Sequence, residues 1–471
     1  MNDLKKVTRG ILWMAAACLC ASPLAAQQEG GDKPKPAAYQ YSLLLDAAYN
    51  QQDADQVTQS VEPDNRPLSG IQNPTIGTPK MRHSYWVPGI QYSNTVRSNS
   101  PNAVANSSWN TTSFVSTDVS LLQTWSRSEL SANYSGGGYF STGDMQGNGQ
   151  YQQLAASYQI ERKRWQVLFM DAFSYLPESS FGFGGPSALS IPGITGSLAV
   201  PVASLQTGYV PGQTILTAVG PRYSNSSAGQ LTYKASARGS ITVAADYAIL
   251  RFINPGNISS DTETLNAGYD YAITRRDSIG VMYRFGAYRY PGGPQALGDH
   301  VVQFEYERKI TGRMALKVMG GPEFTAFRIP IGSLRDRVSG SGSASLIYAF
   351  ARSNIALNYT HGVNGGSGVL NGASSDQVGA TLSRQLTRVW NGNMNFGYAR
   401  NGQLLSAIGS PTFNTWLAGA GLSRSLGRMT YFSLGYQAQI QGAGAAAVGA
   451  NYTAHQIFLT FQWHTLPFVL R

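Results

Sequence analysis

Seven charged side chains recur at alternating positions in long mixed runs: Lys234, Asp246, Asp270, Arg284, Glu305, Glu307 and Lys317. Each has an apolar residue on at least one side, as Asp270 has Tyr269 and Tyr271, so the charges share one face of a pleated ribbon and the apolar residues take the other. Groups of this kind can do one of two things. Opposed acids and bases across a narrow passage set a transverse field that acts on passing solutes. The same groups can instead pair into a salt-bridge lattice that stiffens the wall. Glu305 and Glu307 fall between the runs that carry Arg284 and Lys317, which suits either outcome.

Covalent and metal chemistry find little support in the spacing. His300 follows Asp299, and neighbouring residues of a strand face opposite ways, so the two do not form a dyad. His361, in Thr360-His361-Gly362, has no nucleophile at a telling spacing. His83, His455 and His464 are scattered, with no metal-ligand pattern. Both cysteines, Cys18 and Cys20, precede residue 27. No enzyme activity, no cofactor and no metal is implied.

The elements that must hold the seven charges are long strands. From Leu265, the residues Leu265, Ala267, Tyr269, Tyr271 and Ile273 take every second place, against Asn266, Gly268 and Asp270. After Arg275-Arg276-Asp277 the pattern resumes in Ile279, Val281, Tyr283 and Phe285, and after Pro291-Gly292-Gly293-Pro294 in Val302, Phe304 and Tyr306. Strands of about a dozen residues are long for a soluble sheet and suit a tilted crossing of roughly 25–30 Å of hydrocarbon. Past the N-terminus no run reaches the roughly 18 apolar residues of a membrane helix. Tight basic turns at Arg127, Arg162 to Arg164, Arg238, Arg275-Arg276, Lys309 to Arg313, Arg352, Arg388 and Gly427-Arg428 recur about every 36–41 residues apart from one insertion, close to what two spanning strands need. The fold class is therefore all-β: a transmembrane antiparallel up-and-down barrel of about 18 strands, or 16 if Tyr85 to Val96, which contains Pro88, is not one of them. Trp125, Trp165, Trp390 and Trp463 beside the short turns, and Tyr175, Phe252, Tyr290, Phe327, Trp416 and Tyr452 at the long-loop ends, are expected to form two aromatic belts.

Three regions follow. Residues 1–26 have Lys5, Lys6 and Arg9, the apolar run Ile11 to Leu19 and a small-residue site at Leu24-Ala25-Ala26, the layout of a cleaved export signal; a lipoprotein site at Cys18 fits less well. Residues 27–80 are rich in Gln, Pro, Asp and Gly and read as a flexible periplasmic extension. Residues 81–471 hold the barrel. The formal net charge of +10 resides largely in turns and strand ends rather than on a basic surface interleaved with aromatics, which argues against nucleic acid and for lipid headgroups as partners.

Taken together, the export signal, the alternating hairpins and the closing strand Gln456-Ile457-Phe458-Leu459-Thr460-Phe461-Gln462-Trp463 resemble Gram-negative outer-membrane β-barrel proteins, and more loosely the porins. The resemblance is architectural and covers residues 82–464. It implies an outer-membrane location with both termini periplasmic, contact with outer-membrane lipids and with the barrel-insertion machinery, and passage of small hydrophilic solutes, with a homo-oligomer as an option. The chain ends in Thr465 to Arg471 where the family usually ends on an aromatic residue. The function expected is passive diffusion through a water-filled lumen lined by Lys234, Asp246, Asp270, Arg284, Glu305, Glu307 and Lys317. A conduit for an exported polysaccharide and a non-conducting scaffold or adhesion barrel are the alternatives. The long insertion from Glu178 to about Tyr223, apolar and rich in Gly and Pro, is placed where porins narrow their channel; a constriction, a partner contact and a surface cover all fit it.

Overall fold

Strong alternation over a dozen residues has few outlets other than a sheet, and the computed structural model shows one sheet closed on itself. It describes residues 84–98, 109–142, 148–176, 215, 221–253, 256–292, 296–327, 336–350, 352–366, 368–404, 412–427, 429–443 and 451–470. The readings made above for residues 1–80 lie outside these, as does most of the long insertion. Along the chain come β1 (Ser84–Ser98), β2 (Trp109–Thr124), β3 (Ser128–Thr142), β4 (Gly149–Glu161), β5 (Trp165–Leu176) and β6 (Arg222–Lys234). Then follow β7 (Gly239–Phe252), β8 (Ser260–Ala272), β9 (Asp277–Arg289), β10 (Ala296–Thr311), β11 (Met314–Phe327) and β12 (Arg337–Ala349). The circuit ends with β13 (Ser353–Asn364), β14 (Ala373–Gln385), β15 (Trp390–Gln403), β16 (Thr412–Ser425), β17 (Thr430–Ala443), β18 (Tyr452–His464) and the short β19 (Phe468–Leu470). Each strand pairs antiparallel with the next, and β1 pairs with both β2 and β18, so an 18-stranded ring closes with no free edge.

Closure explains why Pro88 is tolerated. On its β18 side, β1 pairs from Gly89 to Arg97, and its pairing with β19 covers Ser84 to Trp86. Pro88 falls in the gap where one partner hands over to the other, so its missing N–H breaks no ladder bond on that side. Its carbonyl is used instead, accepting from Thr465 N–H at 3.1 Å. The chain after His464 therefore extends the seam, and Phe468 stacks on Trp86 with ring centroids 5.1 Å apart.

The alternation sorts the two faces. Ile241, Val243, Leu265, Tyr269, Ile279, Val281, Phe304, Met394, Phe396, Leu434, Ile457 and Phe461 are exposed on the outside, while the residues between them are buried or half-buried and mostly polar. In a closed ring the second set is the inner face. Two details differ from the sequence reading. Strand β10 runs on through Lys309, which is buried on the inner face and is no turn residue, because the turn needs only Gly312 and Arg313. Tyr290 and Phe327 do not join an outer belt either: Tyr290 is buried with Tyr288, Leu297 and Val363, and Phe327 packs against that group.

Between the pairs Val301↔Glu323 and Phe304↔Gly320 the ladder of β10 on β11 skips Val302 and Gln303, opposite Pro322 and Gly321, with the register the same on both sides. The backbones close up there, and a Cβ on Gly321 would press into the Val302 carbonyl. The space over Gly321 is also the route by which Gln303 Nε2 donates to Ser341 Oγ on β12 at 3.0 Å, skipping a strand. Gly321→Val should cost about 1–3 kcal/mol through this overlap, read as a lower urea midpoint for the folded form; an unchanged midpoint would mean that the approach relaxes freely.

Several outward-facing residues break the apolar rule, and one of them is an acid at mid-strand. Asp171 lies at the middle of β5, directly opposite Ala156 on β4 and Ser227 on β6. Ser227 Oγ donates to its carboxylate at 2.5 Å and Asn225 Nδ2 at 3.1 Å, so the charge is solvated by the wall itself.

Candidate functional site

The inner face has three sectors, set by which residue types occupy the inward parity of each strand. On β2 to β5 it mixes apolar clusters with polar residues: Leu168, Met170 and Ala172 pack with Ala244, and Phe114, Tyr139 and Tyr151 pack with Leu176, while Ser116, Asp118, Glu129, Ser131 and Ser157 are buried on the same face. From β14 round to β18 it is lined by neutral amides and hydroxyls, among them Asn401, Thr415, Gln437, Gln439, Thr460 and Gln462. On β7 to β11 it is charged.

Register stacks the charged sector in rows, since directly paired residues share a face. The uppermost row, nearest the long loops, runs Asp246↔Thr264↔Gly286↔Asp299↔Thr325. Two residues lower comes Asn266↔Arg284↔Val301↔Glu323. The next row holds Gln303, and below it lies Asp270↔Gly280↔Glu305↔Met319. The last is Ser278↔Glu307↔Lys317. Rows lie about 6.8 Å apart along a strand, so the charges extend over most of the barrel's depth.

Within this frame the cations are held fast. Arg284 Nη2 lies 2.8 Å from Asp299 Oδ2 and 3.5 Å from Glu323 Oε1. Glu323 also accepts from Ser339 Oγ and from Val363 N–H, each at 3.0 Å. Lys317 Nζ lies 2.7 Å from Glu305 Oε1 and 3.2 Å from Glu307 Oε1. Asp246 and Asp270 take no part in either cluster's ion pairs. Both oxygens of Asp246, Asp270 Oδ2 and Asp299 Oδ1 are buried with no hydrogen-bond donor among the described residues.

Of the seven residues singled out in the sequence, six thus stand on this wall: Asp246, Asp270, Arg284, Glu305, Glu307 and Lys317. Lys234 has the same parity but is the exposed last residue of β6, with its N–H donating to the Arg164 carbonyl at 2.8 Å beside a short turn. Asp299 and Glu323 were missed. Their parity would have found them, because Asp299 is in step with Gln303 and Glu305, and Glu323 with Lys317.

His300 and His361 face outward. His361 Nδ1 is 2.7 Å from Asp376 Oδ1, and His300 Nδ1 is 2.7 Å from the Tyr283 hydroxyl, while Asp299 points inward. Their partners are a carboxylate and a phenol rather than a serine hydroxyl. Among the described residues no group of three or more His, Cys, Asp or Glu could hold a metal ion. One described residue of the long insertion, Ile215, is buried with Leu370, Ala373 and Phe413, which lie at β13 to β14 and on β16, across the ring from β5 and β6.

A closed, even-numbered antiparallel barrel with an apolar exterior and a polar interior is the architecture of porin-like, Gram-negative outer-membrane proteins, and this chain has it. Among solved structures it is similar to the outer membrane protein OpdK of Pseudomonas aeruginosa (TM-score 0.42, 8% identity, 82% of this chain and 99% of that chain). It is similar also to OccK2 (OpdF) of Pseudomonas aeruginosa (TM-score 0.43, 9% identity, 81% and 98%) and to OccAB4 of Acinetobacter baumannii (TM-score 0.42, 9% identity, 82% and 99%). No protein-family model matches the chain, and no curated protein matches it.

Proposed function

We propose that the protein is a passive channel for small hydrophilic solutes, seated in the outer membrane with both termini on the periplasmic side. The observation that carries this reading is the sorting of side chains around a closed ring: apolar residues outside, and inside a charged wall on β7 to β11 together with amides and hydroxyls on β14 to β18. A polar inner face and exposed apolar rings on the outer one are stable together when the first borders water and the second meets lipid. The short turns, all on one side, and the longer connections on the other support the orientation.

Ile215 supports the constriction reading of the insertion between Leu176 and Arg222, because the chain leaves β5 and is fixed on the far wall before it returns to β6. In planar bilayers the purified protein is expected to give steady ohmic openings, and removal of residues 180–218 is expected to raise the single-channel conductance. No current from either form would overturn the channel and favour a scaffold. Current only from the shortened form would favour a gated conduit over an open pore.

A further inference from the structure

Although the chain is basic overall, with a formal net charge of +10, its charged inner wall is acidic. On the inward face of β7 to β11 stand Asp246, Asp270, Asp299, Glu305, Glu307 and Glu323, six acids against the three bases Arg284, Lys309 and Lys317. Arg284 and Lys317 are each clamped between two of the acids, so they neutralise neighbours rather than attract solutes. Asp246 is only 6% exposed, and its two oxygens are buried without a geometric hydrogen-bond partner among the described residues, with Thr264 as its cross-strand neighbour. In Asp270 the Oδ2 oxygen is equally unprovided, on a residue 7% exposed.

The rows place these acids in succession. In the lower row Asp270 and Glu305 flank Gly280, so a glycine without a side chain separates two carboxylates, and in the upper row Thr264 and Gly286 lie between Asp246 and Asp299. A Cβ at position 280 would strike the Asp270 carboxylate. Elsewhere on the inner face the lining is mostly amides and hydroxyls, which solvate a cation as readily as an anion, and the two buried bases Arg97 and Arg222 are matched by the two buried acids Asp118 and Glu129. Carboxylates lacking protein donors, held in a low-dielectric wall, favour positive counter-charge at that position.

We propose that the lumen selects small cations, with Asp246 and Asp270 as successive binding positions along the β7 to β11 wall. The inference rests on the channel reading above and names the class of solute that the channel takes. Potassium chloride is the probe. Under a tenfold KCl gradient across a planar bilayer, the reversal potential of the open channel is expected to give a K+ to Cl− permeability ratio above about 3. The double variant Asp246→Asn with Asp270→Asn, isosteric at both positions, is expected to lower that ratio at least about twofold while leaving the channel open. A second measurement uses the unaltered protein: hexaamminecobalt(III) added to one side should reduce the K+ current, and sulfate at equal charge should not. An open channel that prefers Cl−, that shows no preference, or whose ratio is unmoved in the double variant overturns the cation assignment and leaves the channel standing. Absence of current in every form overturns the channel itself.

Discussion

Arg284→Met is expected to destabilise the barrel by about 3–5 kcal/mol, the loss that follows when one partner of a buried ion pair is removed and the other charge stays behind. Here two charges stay behind. Asp299 is fully buried and Glu323 is 1% exposed, and both depend on the guanidinium, at 2.8 and 3.5 Å. Glu323 keeps its bonds from Ser339 and Val363, which cushions part of the loss, whereas Asp299 Oδ1 already lacks a donor among the described residues. The triple variant Arg284→Met, Asp299→Asn, Glu323→Gln should recover most of the stability, because it removes the uncompensated charges together with the cation. Urea titration of folding in phospholipid vesicles, followed by tryptophan fluorescence, measures all three forms. A single variant as stable as the parent would mean that lumen water solvates both acids and that the pairing contributes nothing.

The second large effect belongs to the outer face. Phe304 is 66% exposed near the middle of β10, and Val338, 68% exposed, is the second residue of β12 at a long-loop end. Phe304→Arg should cost about 2–4 kcal/mol and Val338→Arg about 0–1 kcal/mol, because the penalty for a cation on the lipid face depends on depth. Exposure to solvent-sized probes is nearly the same at the two sites, so a soluble sheet would give nearly equal costs. The same vesicle titration separates the cases, and equal costs would remove the hydrocarbon from the account.

Much of this was legible in the order of residues. The period of two in Leu265 to Ile273 and the basic turns at Arg127, Arg238 and Arg352 are local signals, and local signals give strand number and facing. Pairing across strands is not local. The sequence set Glu305 and Glu307 between Arg284 and Lys317; the register gives both acids to Lys317 and sends Arg284 upward to Asp299 and Glu323, because Arg284 is level with Val301 and sits two rows above Glu305. Asp299 enters the sequence reading only as the neighbour of His300, although its parity with Gln303 and Glu305 already points it inward. Strand β5 was harder to read, since Leu168, Met170 and Ala172 on one face and Val167, Phe169 and Phe173 on the other leave no alternation to follow. Asp171 on its outer side becomes intelligible only beside Asn225 and Ser227. Pro88 weakened the case for β1 because a lone sequence does not reveal that the chain changes partner from β18 to β19 at that residue.

The separation of the two faces is tested most directly by single cysteines carrying a fluorescent label, in a chain whose Cys18 and Cys20 are replaced by serine. Positions Tyr269 and Phe304 represent the outer face and Asn266 and Asn358 the inner one. In vesicles containing brominated lipid, labels at 269 and 304 should be quenched by the lipid and spared by aqueous iodide, and labels at 266 and 358 should behave in the opposite way. Iodide quenching at 269 and 304, or lipid quenching at 266 and 358, would contradict the barrel's orientation and every functional statement drawn from it.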